Sequence, residues 1–396
     1  MRMMPNRLRK GWTRVAFGDV IRLVRERSAD PDADGFDHYV GLEHLEPGDL
    51  RIRRWGNVAA GTTFTNVFRV GQVLFGKRRV YQHKVAVADF DGVCSSDIYV
   101  LEPKSEELVP GLLPFICQTD GFFEHAVGTS AGSLSPRTNW DSLAAYEFAL
   151  PPLEEQRRIE EALLAHRSLR ECLLEAAQAA TRSEYALLEE TFGEAYDNWQ
   201  PALNRAPLSE LAEVQTGLAM GRKPDGTTTR MPYLRVANVL DGALDLREMK
   251  EIVVEKHKIP RYSLRRGDVL MTEGGDLDKL GRGTVWQGEI QGCLHQNHVF
   301  AVRPDLSRLE PWFLAAVARS PYGRSFFLQS AKRTSNLASV NKKQVSGFLV
   351  PLMPLSKQRE WLKTYNAVRA SVGALSDRLR QLDAFGDRIM QQGLGA

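Results

Sequence analysis

The stretch LPPLEEQRRI, from Leu150 to Ile159, decides how the rest of the chain is read. It joins an apolar, strand-like run to a burst of charge through two prolines. PLMPLSKQRE at 351–360 repeats the phrase. Setting Gln156 on Gln358, an offset of 202, also sets Pro152 on Pro354, Leu153 on Leu355, Arg157 on Arg359 and Asn139 on Asn341. Upstream the offset drifts, as loops of unequal length require. VGQVLFGKRR (70–79) faces RGDVLMTEGG (266–275), with Gly71 on Gly267, and HYVGLEHLEPGDLRI (38–52) faces PYLRVANVLDGALDL (232–246). Such self-similarity marks a duplicated chain. Its order is module, helix, module, helix, with boundaries at 1–151, 152–199, 200–352 and 353–396.

Each phrase opens a long helix. Proline suits a helix start, where its missing amide would go unsatisfied anyway. From about 154 to 192 there is no further proline. Ile159, Ala162, His166, Leu169, Leu173, Ala176, Ala180, Ser183 and Leu187 recur at steps of three and four, the seam of a coiled coil. The second seam is Trp361, Tyr365, Val368, Val372, Leu375, Leu379, Leu382 and Ile389. Gly373 and Gly386 weaken that helix by about 1 kcal/mol each relative to Ala. Residues 154–193 hold nine Glu against five Arg, whereas 356–392 hold seven Lys/Arg against four Asp/Glu. Opposite flanks favour pairing of the two helices over self-pairing. An antiparallel pair, each helix roughly 55 Å long at 1.5 Å per residue, would carry the modules at the ends of a rod. The alternative is two ordinary amphipathic helices, each folded back on its own module.

The modules read as β-rich. DVLM, IYVL, VAVADF and HVFAVRP are short strand-like runs bounded by Gly, Pro or Asp. VPGLLPFICQTDGFFEHA and LEPWFLAAVARSPYGRSFFLQSA read as short buried helices in matching places. The expected class is therefore α+β: two α/β modules separated by two long antiparallel coiled-coil helices.

A length of 396 residues leaves room for two or three domains, and 43% hydrophobic with 26% charged residues is an ordinary globular balance. No apolar run approaches the roughly 18–20 residues of a membrane span. The N-terminal MRMMPNRLRKGW has no apolar segment after it, so it does not read as a secretory signal; it is either a basic start or an arm that touches phosphate. Cys94, Cys117, Cys172 and Cys293 are scattered with no CxxC, which points away from a disulfide framework or zinc ribbon and toward a reducing cytoplasm. At a net charge of +3, a nucleic-acid binder must concentrate its basic residues locally.

Catalytic constellations are missing. An amino-methyltransferase motif needs Asn or Asp before the two prolines and an aromatic after them, to bond and stack the target base; LPPL has neither. There is no convincing S-adenosylmethionine loop and no Walker loop. HQNH (295–298), on a strand, would face its histidines to opposite sides of the sheet, so no metal site is expected. His166 on the helix seam reads as an interface histidine rather than a ligand. The acids of EGGDLD could bind a metal for nuclease chemistry, but the first module has GKRRVYQHK in that place. A site reversed in charge between repeats reads as variable recognition.

Basic and amide side chains cluster instead at equivalent places. Lys77, Arg78, Arg79, Tyr81, Gln82, His83 and Lys84 follow a strand directly. Arg and Gln suit guanine and adenine edges, and Lys suits phosphate. The loop GTSAGSLSPRTNW (128–140), with Ser133 and Arg137, can bring backbone amides against phosphates. The second module offers GLAMGRKPDGTTTR (217–230) with Arg222, Lys223 and Arg230, GGDLDKLGRG (274–283) with Lys279 and Arg282, and SAKRTSNLASVNKK (330–343) with Lys332, Arg333 and Asn336. Any one of these residues could be plain solvated surface; the clusters together read as DNA-binding.

On these residues the chain resembles the specificity subunits of type I restriction–modification systems. The likeness covers nearly the whole length. VGLEHLEPGDLRI, VLFGKRRVYQHKVAVADFDGVCSSDIYVLEP and SLSPRTNWDSLAAYEFALPPLEEQRRI look like one target recognition domain with its helix start; MPYLRVANVLDGALDL, GDVLMTEGGDLDKLGRG and CLHQNHVFAVRP look like a second. The phrase is full at 151–159 and degraded at 354–361, where Ser356 and Lys357 replace the acidic pair and Trp361 the Ile. The resemblance implies that each domain reads half of a bipartite double-stranded DNA site and that the helices set the gap. It implies two modification subunits, carrying S-adenosylmethionine and methylating adenine N6, and a motor–nuclease subunit using ATP and magnesium. This chain would hold no cofactor or metal and do no catalysis. The rival readings are a target-recognition subunit of another defence complex and a divergent methyltransferase or nuclease.

Overall fold

Both prolyl phrases end a strand and begin a helix. Strand Glu147–Leu150 leads into helix Leu153–Phe192, and strand Leu349–Leu352 leads into helix Leu355–Leu394, each helix being 40 residues long. The structure, a computed structural model, describes residues 8–132, 135–219, 221, 226–275, 280–333 and 338–394.

The glutamine of each phrase explains why it is written twice. Gln156 and Gln358 are 1% and 0% exposed. The Gln156 Oε1 accepts from the Val109 amide at 2.8 Å, and its Nε2 donates to the carbonyls of Glu107 at 2.8 Å and Pro151 at 2.9 Å. Gln358 repeats the set, accepting from the Glu310 amide at 2.9 Å and donating to Arg308 O at 2.9 Å and Met353 O at 2.8 Å. A buried amide is costly unless its polar atoms are matched. Here it is matched by a loop about 47 residues upstream, which ties each helix start to the module before it. Asn139 and Asn341 repeat in the same way, each capping a five-residue helix by accepting from the Ser142 or Gln344 amide.

The chain divides into two compact units, Met1–Leu174 with Asp377–Ala396, and Glu175–Ser376. In the first, a four-stranded antiparallel sheet runs in the order Ile21–Val24, Ile98–Pro103, Val73–Gly76, Val85–Val87. A second sheet runs Gly56–Asn57, His38–Val40, Gly92–Cys94, Asn66–Phe68, with its middle pair parallel. Alternation along the strand serves two cores. Val73 and Phe75 pack with Phe122 and Leu112 on the helical side, while Leu74 packs with Val40 and Phe68 from the other sheet. The second unit repeats this plan. Its sheet of Ala212–Thr216, Val299–Pro304, Val269–Thr272 and Gly283–Val285 sends Val269 and Met271 to the core holding Phe313 and Phe327, and Leu270 to the core holding Leu234. The second sheet is Lys250–Glu255, Thr228–Leu234 and Leu294–His295. The α+β expectation holds. Among the described residues, no helix is long and apolar enough to cross a membrane.

The long helices do both things that the sequence reading set as alternatives. Their ends complete the module cores: Ile159, Leu163 and Leu394 enter the first, and Leu188, Phe192, Leu362 and Tyr365 the second. The same segments also pair antiparallel with each other. In the first unit Arg170 Nε meets Asp383 Oδ1 at 2.6 Å and His166 Nε2 lies 2.9 Å from Leu382 O. In the second, Trp361 Nε1 donates to Thr191 Oγ1 at 2.9 Å.

The expected seam of the second helix is partly or fully buried throughout, but that of the first is displaced. Leu169, Ala176 and Ser183 are exposed, and Leu163, Glu184 and Leu188 are buried instead. Beside Ser183 the buried place is taken by Glu184, 2% exposed, which bonds Arg319 NH1 at 2.6 Å and lies 3.7 Å from Arg369 Nε. A paired acid can occupy a buried stripe that a search for apolar residues passes over. Gly386 also has a role beyond weakening its helix. A Cβ there would lie 2.6 Å from the His166 ring, whereas one at Gly373 would meet nothing within 4 Å.

Two predictions follow from this packing. Gln156→Leu leaves an amide and two carbonyls unmatched, at a cost of about 3 kcal/mol, so hydrogen exchange at Val109 and the helix start should accelerate about a hundredfold; unchanged exchange would contradict the lock. Gly386→Ala should destabilise the fold by about 1–3 kcal/mol through overpacking on His166, lowering the thermal midpoint, while Gly373→Ala stabilises it by up to about 1 kcal/mol and raises the midpoint.

Candidate nucleic-acid interface

The two basic segments of the first module come together although more than forty residues lie between them in the chain. The backbone of Lys77 donates to Asp97 O at 2.9 Å and accepts from the Thr138 amide at 3.0 Å, and the Arg79 amide donates to Pro136 O at 2.7 Å. Arg78 and Arg137 face each other in a β-bridge. Asp97 lies between them: one carboxylate oxygen is 3.1 Å from Arg78 NH1 and the other 3.0 Å from Arg137 NH2. Arg78 Nε donates to Ser135 Oγ at 2.7 Å as well. Lys77 Nζ sits over the Tyr99 ring, 4.6 Å from its centre. Burial holds this ammonium below the ordinary lysine value, and Arg137 adds to the effect while Asp97 opposes it.

Beyond Arg78 the chain turns sharply. Arg79 and His83 both have φ of 54°, and they bracket the short helical turn Val80–Gln82. Non-glycine residues avoid this left-handed region, and where it occurs surrounding contacts hold it. Val80 is buried at 2% exposure, and the His83 ring stacks on Phe123 at 3.8 Å. Lys84 Nζ donates to Leu42 O at 2.6 Å, so it braces the turn from below. Arg79 and Tyr81 are exposed, Tyr81 at 54%. Tyr81, Gln82, His83 and Lys84 line an open groove with Pro47 and Gly48.

The second module builds the same frame from different side chains. The Glu273 amide donates to His298 O at 2.9 Å and Glu273 O accepts from the Val340 amide at 2.8 Å. Lys77 and Asp97 of the first module are thus replaced by Glu273 and His298, whose side chains meet at 2.5 Å. Gly274–Gly275 and Lys332–Arg333 both pair with Ala338–Ser339, which joins the 270s and 330s loops. Lys332 is exposed, and Arg282 is half-buried, its carbonyl accepting from the Thr272 amide at 2.9 Å. Arg230 lies apart from this group, exposed on strand Thr228–Leu234 opposite Val253. Ser133, Arg222, Lys223, Lys279 and Asn336, and the side chain of Arg333, lie outside the described residues.

HQNH is a strand end and a turn rather than one strand. His295 closes strand Leu294–His295 and is fully buried, its Nδ1 2.6 Å from Val299 O, while His298 bonds Glu273. Among the described residues no cluster of His, Cys, Asp and Glu could hold a metal ion. The sequence reading missed Asp97 and Ser135. Asp97 stands 19 residues from Arg78 and 40 from Arg137 in the chain, and only the folded sheet brings the three together.

Two modules of one plan, each with a differently furnished loop pair, define a duplicated chain. No protein-family model matches the chain. It is 24% identical to the type I restriction enzyme EcoKI specificity subunit of Escherichia coli, over 98% of this chain and 86% of that one. It is 23% identical over 193 residues to a putative type I restriction enzyme MjaX specificity subunit of Methanocaldococcus jannaschii, a region covering 48% of this chain and 44% of the relative. Its fold matches a solved S subunit of a type I restriction–modification system from M. genitalium, with a TM-score of 0.61, 14% identity and 98% of each chain covered. The chain is thus a relative of the type I specificity subunits.

Burial lowers the His295 imidazole from its ordinary 6.5, outweighing the bond to Val299 O and the nearby Asp268. A depressed value means that the unfolded chain binds this proton more readily than the folded one. Stability is therefore full above about 6.5 and is lost as pH falls toward the folded value. Urea unfolding across this range should show that loss, and His295→Gln should flatten it; an equal slope in both proteins would contradict the assignment.

Proposed function

We propose that this chain is the DNA-reading subunit of a type I restriction–modification complex, each module reading one half of a two-part site. The observation that carries the reading is the pair of matched frames, Lys77–Asp97 and Glu273–His298, which hold different side chains on the same backbone geometry. Constant scaffolding with variable side chains is what two half-sites of unlike sequence require. Arg79, Tyr81 and Gln82 in the first module and Lys332 and Arg282 in the second are the described residues offered to DNA, joined by Arg230 from the neighbouring sheet. From the sequence, Ser133, Arg222, Lys223, Lys279, Arg333 and Asn336 join them.

In this reading the helix pair measures distance. A continuous helix of 40 residues spans about 60 Å, ample to bridge recognition points one DNA turn of roughly 34 Å apart. The chain itself does no bond chemistry. It positions two modification subunits, which carry S-adenosylmethionine and methylate adenine N6, and a motor–nuclease subunit that uses ATP and magnesium can join them. The relatives' own designation as subunits of restriction enzymes supports such partners.

Lengthening the ruler tests this. Inserting two helical turns, about seven residues, after Ala177 and after Gly373 keeps the seam in phase. The gap in the recognised site should grow by up to about three base pairs, both half-sites being kept. An unchanged gap in the methylated motif, or DNA cleavage or methylation by the purified chain alone, would contradict the proposal.

A further inference from the structure

The basic cluster of the first module contains two kinds of arginine, and they differ in what their guanidinium groups do. Arg78 and Arg137 are occupied: each holds one oxygen of Asp97, and Arg78 also holds Ser135. The Asp97 side chain is only 15% exposed, so this carboxylate sits behind the loops rather than on their outer surface. A carboxylate that neutralises two guanidinium groups at once removes much of their attraction for phosphate. It also joins the 77–84 segment to the 131–137 segment, because the two arginines come from different sides of the bridge.

Arg79 and Tyr81 are placed differently. Among the described residues the side chain of Arg79 has no hydrogen bond or ion pair, and Tyr81 is 54% exposed. Both belong to a turn whose backbone is over-determined. Two left-handed residues, the bond from the Arg79 amide to Pro136 O, buried Val80, the His83–Phe123 stack and the Lys84 bond to Leu42 O hold it from every side. Free side chains on a rigid, strained turn are pre-organised for contact, since little entropy remains to be lost on binding.

We propose that the Val80–Gln82 turn, with Arg79 and Tyr81, is the base-reading element of the first module, and that Asp97 is a positioning residue acting through Arg78 and Arg137. This rests on the DNA reading above. Arg79 supplies a planar two-donor fork suited to a guanine edge. Tyr81 supplies a flat, partly apolar face with a hydroxyl that can donate and accept. The clamp sets where that fork and ring stand, and its own arginines carry no base preference.

The test is selection of bound sequences from a randomised duplex pool by the full chain in its native complex, comparing wild type with Arg79→Ala, Tyr81→Ala, Arg78→Ala and Asp97→Asn. Arg79→Ala should lose roughly tenfold to hundredfold of discrimination at one or two positions of one half-site, leaving the other half-site as in wild type. Tyr81→Ala should relax a neighbouring position. Asp97→Asn releases two guanidinium groups to phosphate and loosens the clamp, so it should blunt discrimination about tenfold across that half-site without loss of non-specific binding, and Asp97→Glu should restore part of the discrimination. Intact preference in Arg79→Ala together with lost preference in Arg78→Ala would overturn the division of labour while leaving the DNA reading standing. A wild-type complex that selects no sequence would overturn both. Hydrogen exchange of each variant separates these outcomes from misfolding: in Arg79→Ala and Tyr81→Ala the module core should exchange as in wild type, and a core that opens in Arg79→Ala would count against its role as a reader.

Discussion

Two buried glutamine side chains hold this architecture together. Each is the buried polar residue of its prolyl phrase, and each spends both donors and its acceptor on backbone groups. The bonds run from the first turn of a long helix to a loop before the module's own helical layer, and to the chain just ahead of the prolines. They therefore fix the direction in which a 40-residue helix leaves its module. Any error in that direction would grow along the helix, so a rigid joint matters more here than in a short connection. The same three bonds, made twice, mean that both modules meet their helices by one geometry.

From this joint the helices acquire two duties. Near each end they are core elements, with Ile159 and Leu163 or Leu362 and Tyr365 buried among the module's aromatics. They also serve as each other's partner, through Arg170 with Asp383 in one unit and Trp361 with Thr191 in the other. Burying a helix end in a module core makes the long helix part of the module's stability. The small residue Gly386 belongs to this economy, because it lets the His166 ring approach the second helix closely enough to reach Leu382 O.

Much of this was legible in the sequence. Apolar and proline positions repeat under translation, so the duplication, the helix starts and the strand runs could be read from spacing. The pairing of Gln156 with Gln358 and of Asn139 with Asn341 was visible before their bonds were. What escaped were the charges that fold inward. Glu184 takes a buried place on the first helix that depends on Arg319 and Arg369 from other elements. Asp97 was invisible for the same reason. The sequence could collect Lys77, Arg78, Arg79 and Arg137 as one basic cluster, but it could not say which of them a distant carboxylate already occupies.

Under the proposed function the chain reads and measures DNA and leaves the chemistry to its partners. Its two frames are alike in backbone and unlike in side chain, as the reading of an asymmetric site would require. The most direct measurement is single-molecule methylome sequencing of the native host with and without this gene. The account predicts a methylated adenine in a two-part motif with a fixed unread gap, present only when the gene is present. A methylome that does not change, or a gene-dependent motif that is continuous with no gap, would contradict it.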